Sequence, residues 1–286
     1  MAKINTRVMV SSPQFFSDEA AINSYMDSSI PIDRSAAMHE HAQILDAFRT
    51  AGIEVQQVLA PEGCQDGVYT ANWALIKDNM AVMSRLPGAR KAEEEYARTI
   101  LADMGYITLT LPDSSHFSGQ GDALICGSYL FVGTHYRTSK SAQDYLAKIF
   151  PSLQMVRLQT VPELDDQSRP VTNTSSGWPD SFFYDLDLAL AVIDERLIAW
   201  CPEAFDEASR RTINQMNDIE KIEVSLAEAK EGFACNLVST GDYVIMSDRA
   251  PALKAELVRR GLKVITPSIT ELAKGGGFSR CISLSL

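Results

Sequence analysis

The chain has 286 residues, with 26 Lys or Arg against 37 Asp or Glu, and its formal net charge is -11. An acidic chain of ordinary apolar content predicts a sizeable core and argues against nucleic acid or an anionic membrane surface as a partner. Its five cysteines are scattered and form no CxxC pair, so neither a zinc site nor a disulfide framework is expected. Reduced thiols and the lack of a long apolar run favour the cytoplasm.

The first part of the chain alternates strand and helix. We expect a strand over Thr6–Ser11 and an irregular loop over Ala21–Asp33, where Asn, Ser, Asp and Pro are frequent. A helix is predicted over Arg34–Ala51, because Gly52 follows its last apolar residue. A second strand, Ile53–Leu59, ends before Pro61.

From residue 72 onwards, a unit of hairpin, helix and strand recurs at a spacing of roughly 45 to 65 residues. The predicted hairpins open at Asn72, Asp122, Asp187 and Asn236. Each is followed by a predicted helix (91–104, 141–150, 204–217, 251–260) and then by a predicted strand (106–111, 154–158, 221–226, 262–266). Repetition of this kind indicates a propeller or another radial array.

The last thirteen residues contain Gly275-Gly276-Gly277 and then Cys281, which opens an alternating strand, Ile282 to Leu286. This strand is a fifth hairpin position, and its expected partner is the first strand of the chain. In a radial array, equivalent positions converge on the axis. Two carboxylates, two amides and a thiol are therefore predicted around one centre, at the five hairpin openings.

A thiol among carboxylates, without an obvious metal set, suggests nucleophilic attack on a cationic carbon. The thiolate is the reactive form, and buried carboxylates alone would disfavour it. A guanidinium resolves this conflict, because its planar fork of donors matches a carboxylate and its charge favours the thiolate.

At this point the chain resembles the guanidino-group-modifying enzymes, the pentein superfamily that includes dimethylarginine dimethylaminohydrolases, arginine deiminases and amidinotransferases. The matching stretches are Asp66–Asn72, Phe117–Asp122, His135–Thr138, Phe183–Asp187 and Gly275–Cys281. The resemblance implies an α/β fold, a five-bladed pseudo-symmetric propeller forming a single catalytic domain over residues 1–286, and neither cofactor nor metal.

The resemblance also implies roles for individual residues. Cys281 matches the nucleophile, which forms a thiouronium intermediate that water hydrolyses. Arg137 matches an arginine that holds the α-carboxylate of the substrate, with Arg90 as a second candidate. The remaining predicted substrate contacts are Asp66, Asn72, Ser118, Asp122 and Asp187.

Three positions depart from the pattern of the superfamily. Asn72 stands where deiminases have Asp, although arginine dihydrolases also carry Asn there. Ser118 stands where Glu is usual. Asp185 stands where the general acid/base His is usual, so either Asp185 with a raised pKa or His116 is predicted to take that role.

We therefore expect a hydrolase that cleaves a C–N bond of a guanidino compound, with dimethylargininase-like chemistry first. Arginine dihydrolase, deiminase or amidinotransferase activity is the first alternative. A binding protein that has lost the chemistry is the second, because Ser118 and Asp185 alter two catalytic positions. The expected partner is a small guanidino or ureido amino acid, and a homo-oligomer is compatible with the sequence.

Overall fold

The computed structural model describes residues 3–27 and 29–286; the predicted domain also includes residues 1 and 2, and the predicted loop residue 28, which lie outside the described residues. The repeated element is a sheet of three short strands, which occurs five times in the described part. The strands are β1 Arg7–Ser11, β2 Glu54–Val58, β3 Ala74–Lys77, β4 Met80–Met83, β5 Ile107–Thr110, β6 Ala123–Cys126, β7 Tyr129–Gly133, β8 Gln154–Leu158, β9 Leu190–Asp194, β10 Leu197–Trp200, β11 Glu220–Glu223, β12 Val238–Ser239, β13 Tyr243–Ile245, β14 Lys263–Ile265 and β15 Leu284–Ser285.

All five sheets have the same pairing pattern. A middle strand pairs antiparallel with one neighbour and parallel with the other, as β4 does with β3 and β5. In the first sheet the middle strand is β1, which pairs parallel with β2 and antiparallel with β15. The predicted pairing of the two chain ends is therefore confirmed, through Val8 with Ser285 and Met9 with Leu284.

Five of the seven helices in the described ranges connect parallel strand pairs. The helices are α1 Arg34–Thr50, α2 Lys91–Asp103, α3 Gly119–Asp122, α4 Lys140–Ile149, α5 Glu207–Gln215, α6 Leu226–Gly232 and α7 Pro251–Arg259. Of these, α3 and α6 lie between successive sheets. In α1, the side chain of Asp33 caps Ala36, and residues spaced by three and four, such as Ile44 and Phe48, are buried. No helix in the described ranges is long and apolar enough to cross a membrane.

One predicted strand was partly wrong. The strand expected over residues 221–226 ends at Glu223, and Leu226 instead begins helix α6. The Ser225 hydroxyl caps this helix by accepting a hydrogen bond from the Glu228 amide, while the Glu228 carboxylate accepts from the backbone of Ala252 and Leu253. The helix expected over 204–217 is likewise shorter, because Pro202–Ala204 forms a separate 3-10 turn before α5.

The residues predicted to open the hairpins lie in turns, not in strands. Asn72 and Asp187 belong to 3-10 turns, and Asp122 is the last residue of α3. Cys281 also lies in a turn, and the strand that follows it is limited to β15. Turn backbone just before a strand lets a side chain point along the strand axis instead of across the sheet.

Candidate functional site

A narrow cavity with about 20 Å³ of free space brings together seven of the ten predicted site residues. Its walls include Cys281, Asp185, Asp66, Asn72, Arg90, Ser118 and Arg137. His116, Asp122 and Asp187 are not part of these walls. The free space holds about one water molecule, so a larger ligand requires side chains to move.

Cys281 is held by the amide of Asn236. Asn236 Oδ1 accepts hydrogen bonds from the backbone N–H of Phe278 (2.8 Å) and of Cys281 (3.1 Å). Asn236 Nδ2 lies 3.1 Å from Cys281 Sγ and donates to it. One buried side chain therefore fixes both the turn and the sulfur, a role that the sequence left open for Asn236.

The glycine run before Cys281 makes room for two tyrosines. A Cβ atom at Gly275 would lie 1.9 Å from the Tyr69 hydroxyl oxygen. Gly276 has a φ of +90°, and its carbonyl accepts a hydrogen bond from the Tyr184 hydroxyl at 2.8 Å. The absence of side chains at Gly275 and Gly276 therefore lets Tyr69 and Tyr184 pack closely against this part of the cavity wall.

Asp185 forms the carboxylate side of the cavity. Its Oδ2 accepts a hydrogen bond from Asn72 Nδ2 at 2.7 Å, and the same nitrogen donates to Ser118 Oγ at 2.9 Å. Asp185 Oδ1 is buried without a partner. Burial raises the pKa of Asp185, although the nearby Arg137 opposes the shift. The carboxyl group is thus adjusted towards proton transfer.

Arg90 supports Asn72 more than it faces a ligand. Its guanidinium pairs with the fully buried Glu93 through Nε (2.9 Å) and Nη2 (2.7 Å). Arg90 Nη1 donates to Asn72 Oδ1 at 2.8 Å. This contact fixes the orientation of the Asn72 amide and turns its NH₂ group towards Asp185. A direct substrate contact by Arg90 stays a prediction.

Asp187 and Asp122 lie behind the cavity. Asp187 Oδ2 accepts from the Cys281 thiol at 3.3 Å, and Asp187 Oδ1 is buried without a partner. Both oxygens of Asp122 are occupied, by the Thr138 hydroxyl (2.5 Å) and the Leu186 backbone N–H (3.0 Å). Asp122 therefore anchors the turn that carries Asp185 and Asp187, and its predicted contact with substrate finds no support in its position.

In the empty site, burial and the neighbouring carboxylates favour the protonated form of the Cys281 thiol. Burial raises the pKa of Cys281 well above its usual range, and the Asp187 and Asp185 carboxylates raise it further. Burial also raises the pKa of Asp187. A cation placed in the cavity opposes these effects on the thiol, because it stabilises the thiolate and the carboxylates together.

Arg137 forms the positive side of the cavity. It is buried, and no carboxylate in residues 3–27 or 29–286 lies within ion-pair distance of it. Its Nη2 donates to the Ile22 carbonyl at 2.5 Å, and the rings of Tyr184 and Trp178 lie 4.9 and 5.6 Å from the guanidinium carbon. A buried, unneutralised guanidinium is costly unless an anion joins it.

His116 is not among the residues that line the cavity. Its ring stacks on Trp178, with centroids 4.1 Å apart, and burial lowers its pKa. Trp178 belongs to the loop 165–179, so His116 braces that loop near Arg137. This geometry favours Asp185 over His116 as the acid/base group.

The cost of burying the charged Asp66 side chain can be tested by measuring the free energy of unfolding at two pH values. Burial raises its pKa from 3.8 to about 6, although Arg90 opposes the shift. A raised pKa contributes stability that is complete below the unfolded pKa and is lost as the pH rises through the folded value. Asp66→Asn should therefore stabilise the protein by up to about 3 kcal/mol at pH 8 and hardly at all at pH 4.

Denaturant unfolding at both pH values measures this difference. The exposed Asp166→Asn is the matched control and should change stability at neither pH. An Asp66→Asn protein no more stable than the wild type at pH 8 would contradict the assigned burial cost.

Several cavity residues were missed from the sequence. Asn23 donates to the Gly275 carbonyl at 3.0 Å, and Tyr69 donates to the Leu272 carbonyl at 2.7 Å. Both line the cavity together with Ile22 and Tyr184. Asn23 lies in the irregular loop before α1, which carries no periodicity that could place its side chains. Tyr69 lies inside a stretch that marked the resemblance, so only its role was overlooked.

Comparison with known protein families shows the family to which this chain belongs. A model described as N,N dimethylarginine dimethylhydrolase, eukaryotic, matches residues 8–286. The chain belongs to this dimethylarginine dimethylaminohydrolase family. Within curated proteins, the N(G),N(G)-dimethylarginine dimethylaminohydrolase of Mycobacterium tuberculosis is 30% identical over 98% of this chain and 85% of its own length.

Other relatives of this dimethylarginine dimethylaminohydrolase family member are named as arginine dihydrolases. The bifunctional arginine dihydrolase/ornithine cyclodeaminase AgrE of Nostoc is 29% identical over 97% of this chain, which spans only 37% of that protein. Crystal structures of the N-terminal domain of cyanobacterial ArgZ, an arginine dihydrolase, match with a TM-score of 0.86 and 27% identity over 97% of this chain. One of these structures is bound to substrate, and the match covers 97% of its chain. Another is covalently bonded to a reaction intermediate, and the match covers 96% of its chain.

Proposed function

We propose that this protein is a hydrolase that cleaves a C–N bond of a guanidino compound through a covalent intermediate on Cys281. One observation carries the proposal. Cys281 lines a narrow cavity together with Asp185 and Arg137. Within the described residues, one buried carboxylate oxygen of Asp185 has no hydrogen-bond partner and the Arg137 guanidinium has no ion-pair partner. An arginine derivative offers a cationic guanidinium to one side and an α-carboxylate to the other.

Binding prepares the nucleophile in this proposal. The substrate guanidinium donates to the free oxygens of Asp185 and Asp66, and its charge lowers the pKa of the Cys281 thiol. The thiol proton passes to a carboxylate oxygen, with Asp187 already in contact at 3.3 Å. The cavity must widen to admit an arginine, because its free space is far smaller. The loop 165–179 is the proposed moving part, since its Trp178 ring lies 5.6 Å from the Arg137 guanidinium carbon.

The chemistry then has two steps. Asp185 enters the first step protonated, which its raised pKa favours. The thiolate attacks the guanidinium carbon, the C–N bond to the departing nitrogen breaks, and that nitrogen takes the Asp185 proton. The deprotonated Asp185 next takes one proton from the water that attacks the thiouronium carbon, the second water proton passes to the released amine, and the thiolate leaves as the C=O bond of the product forms. Asn72 keeps Asp185 in place throughout, through its 2.7 Å hydrogen bond.

Dimethylarginine is the first substrate candidate, because of the family to which the chain belongs. Arginine is the second, and a specific residue favours it. Asn72 replaces the Asp of deiminases, and its NH₂ group lies against the proposed acid/base group. Arginine dihydrolases of the superfamily carry Asn there as well.

A substrate panel tests the proposal. Amine and ammonia release are measured from arginine, mono- and dimethylarginine, agmatine, citrulline and smaller guanidino acids. Release of dimethylamine identifies a dimethylargininase, and two equivalents of ammonia from arginine identify a dihydrolase. Ligands that raise the melting temperature without being consumed would favour the binding protein that the altered residues 118 and 185 allow.

Arg137 should decide affinity for the α-carboxylate. We expect Arg137→Met to raise the KM for arginine derivatives about 100-fold, since one charge-assisted contact is lost and its desolvated partner remains. Agmatine has no carboxylate, so its binding, measured as inhibition, should hardly change. Arg137→Lys keeps the charge and should fall between the two; an equal loss for both ligands would refute the assignment.

We also propose that the five sheets are the blades of a closed five-bladed propeller forming one catalytic domain. The support is the antiparallel pairing of β15 with β1, which joins the two ends of the chain in one sheet. A small guanidino or ureido amino acid is the proposed partner, and a cytoplasmic location and a homo-oligomer remain predictions.

A further inference from the structure

Three arginines are buried around the thiol and its carboxylates, and only one of them is neutralised. Arg90 pairs with Glu93, and Arg137 faces the substrate cavity. Arg280 is 8% exposed and has neutral partners, Gln120 Oε1 at 3.0 Å and Ser285 Oγ at 2.9 Å. No carboxylate in the described part of the chain lies within ion-pair distance of Arg280.

Arg280 faces a second cavity, on the other side of Asp187. This cavity has a volume of about 110 Å³, and its polar walls include Arg280, Asp187, Gln120 and Ser285. Aliphatic side chains of β3, β6 and β9 form much of the rest, together with Ile4, Asn5, Cys235 and Leu237. Asp187 belongs to this cavity, while its Oδ2 is 3.3 Å from Cys281 Sγ. The Arg280 guanidinium therefore lies on the second cavity, which shares Asp187 with the thiol, whereas the substrate is expected in the first cavity, which Cys281 lines.

Two other arginines line the cavity that contains Cys281. Arg90 is neutralised by Glu93, and Arg137 lies on the substrate side. The remaining titratable groups beside the thiol are acidic or neutral, namely Asp66, Asp185, Asp187, Tyr25, Tyr69 and Tyr184. Charges interact strongly where water is excluded, so a buried cation next in sequence to the cysteine has a large effect.

We propose that Arg280 is a positioning residue whose permanent charge offsets the carboxylates beside the thiol and so makes the Cys281 thiolate easier to form, both with substrate bound and after the amine has left. The inference rests on the nucleophilic role proposed for Cys281. In this proposal the second cavity has a function. It holds the Arg280 guanidinium, which has no ion-pair partner in the described residues, away from bulk water. After the amine has left, this charge still favours expulsion of the thiolate in the second step.

Alkylation of Cys281 by iodoacetamide, followed by peptide mass over a range of pH, tests the proposal. Arg280→Met should move the midpoint of the pH profile upwards by about one pH unit or more. Arg280→Lys should stay within a few tenths of a unit of the wild type. Gln120→Leu, which removes a hydrogen bond to Arg280 and no charge, is the matched control and should not move the midpoint.

A wild-type midpoint in folded Arg280→Met would overturn the proposal. Equal shifts for Met and Lys would do the same, since they would indicate packing and not charge. If the Met variant does not fold, Arg280→Gln against Arg280→Lys asks the same question. Alkylation requires no turnover, so failure of the substrate panel and failure of this test are independent results.

Discussion

Cys281→Ala should lower turnover of every substrate by at least about ten-thousand-fold, because no other group near the guanidinium carbon can form the covalent intermediate. Substrate binding should persist, since Asp66, Asp185 and Arg137 are unchanged. Amine release measures the first effect, and the ligand-induced rise in melting temperature measures the second.

A second buried cysteine provides the control for this variant. Cys126 lies at the end of β6, and burial raises its pKa to about 12. Cys126→Ala removes a similar packed thiol and should retain wild-type turnover. Activity surviving in Cys281→Ala would remove the nucleophile from the account and leave the carboxylates as the only candidates for catalysis.

Asp185→Asn should lower kcat by about 10²- to 10⁴-fold, the usual contribution of a general acid/base group. Asn is nearly isosteric and can still accept the hydrogen bond from Asn72. The first step needs Asp185 protonated and the second step needs it ionised, so the wild-type rate should fall on both sides of the raised pKa of Asp185. Both limbs should be absent from the residual activity of the variant.

The reactivity of the thiol distinguishes loss of proton transfer from general damage. The Asp185 carboxylate raises the pKa of Cys281, so alkylation of Cys281 should be unchanged or faster in Asp185→Asn. Ser118→Glu with Asp185→His restores the residues usual in the superfamily and should remain active. An Asn variant within about tenfold of wild type would redirect attention to His116.

Much of the fold could be predicted because each repeat carries its own local signals. Alternating apolar residues mark the hairpins, and glycines such as Gly52 and Gly105 end the helices, so most elements lie where expected. Helix α6 was missed because its seven residues are too few for a periodic pattern, although Ser225 and Glu228 form a readable start signal. Its existence depends on packing more than on propensity.

The site was predicted in part, for the same physical reason. Polar residues at repeated positions predicted that Asn72, Asp187, Asn236 and Cys281 converge. Their contacts form two hydrogen-bonded groups, Asn72 with Asp185 and Cys281 with Asn236 and Asp187, which meet at one cavity. The sequence repeat could not show which of the two cavities each residue lines. Asp187 faces the second cavity, Arg90 is committed to Glu93, and Asn23 enters from an irregular loop.

Mass spectrometry of the Asp185→Asn protein, quenched with acid during turnover of dimethylarginine or arginine, tests the covalent mechanism most directly. The proposal predicts an adduct on the peptide containing Cys281, with the mass of the substrate less the departing amine. Its amount should rise to a plateau, since the second step also needs Asp185. Consumption of substrate with Cys281 unmodified at every quench time would contradict the mechanism.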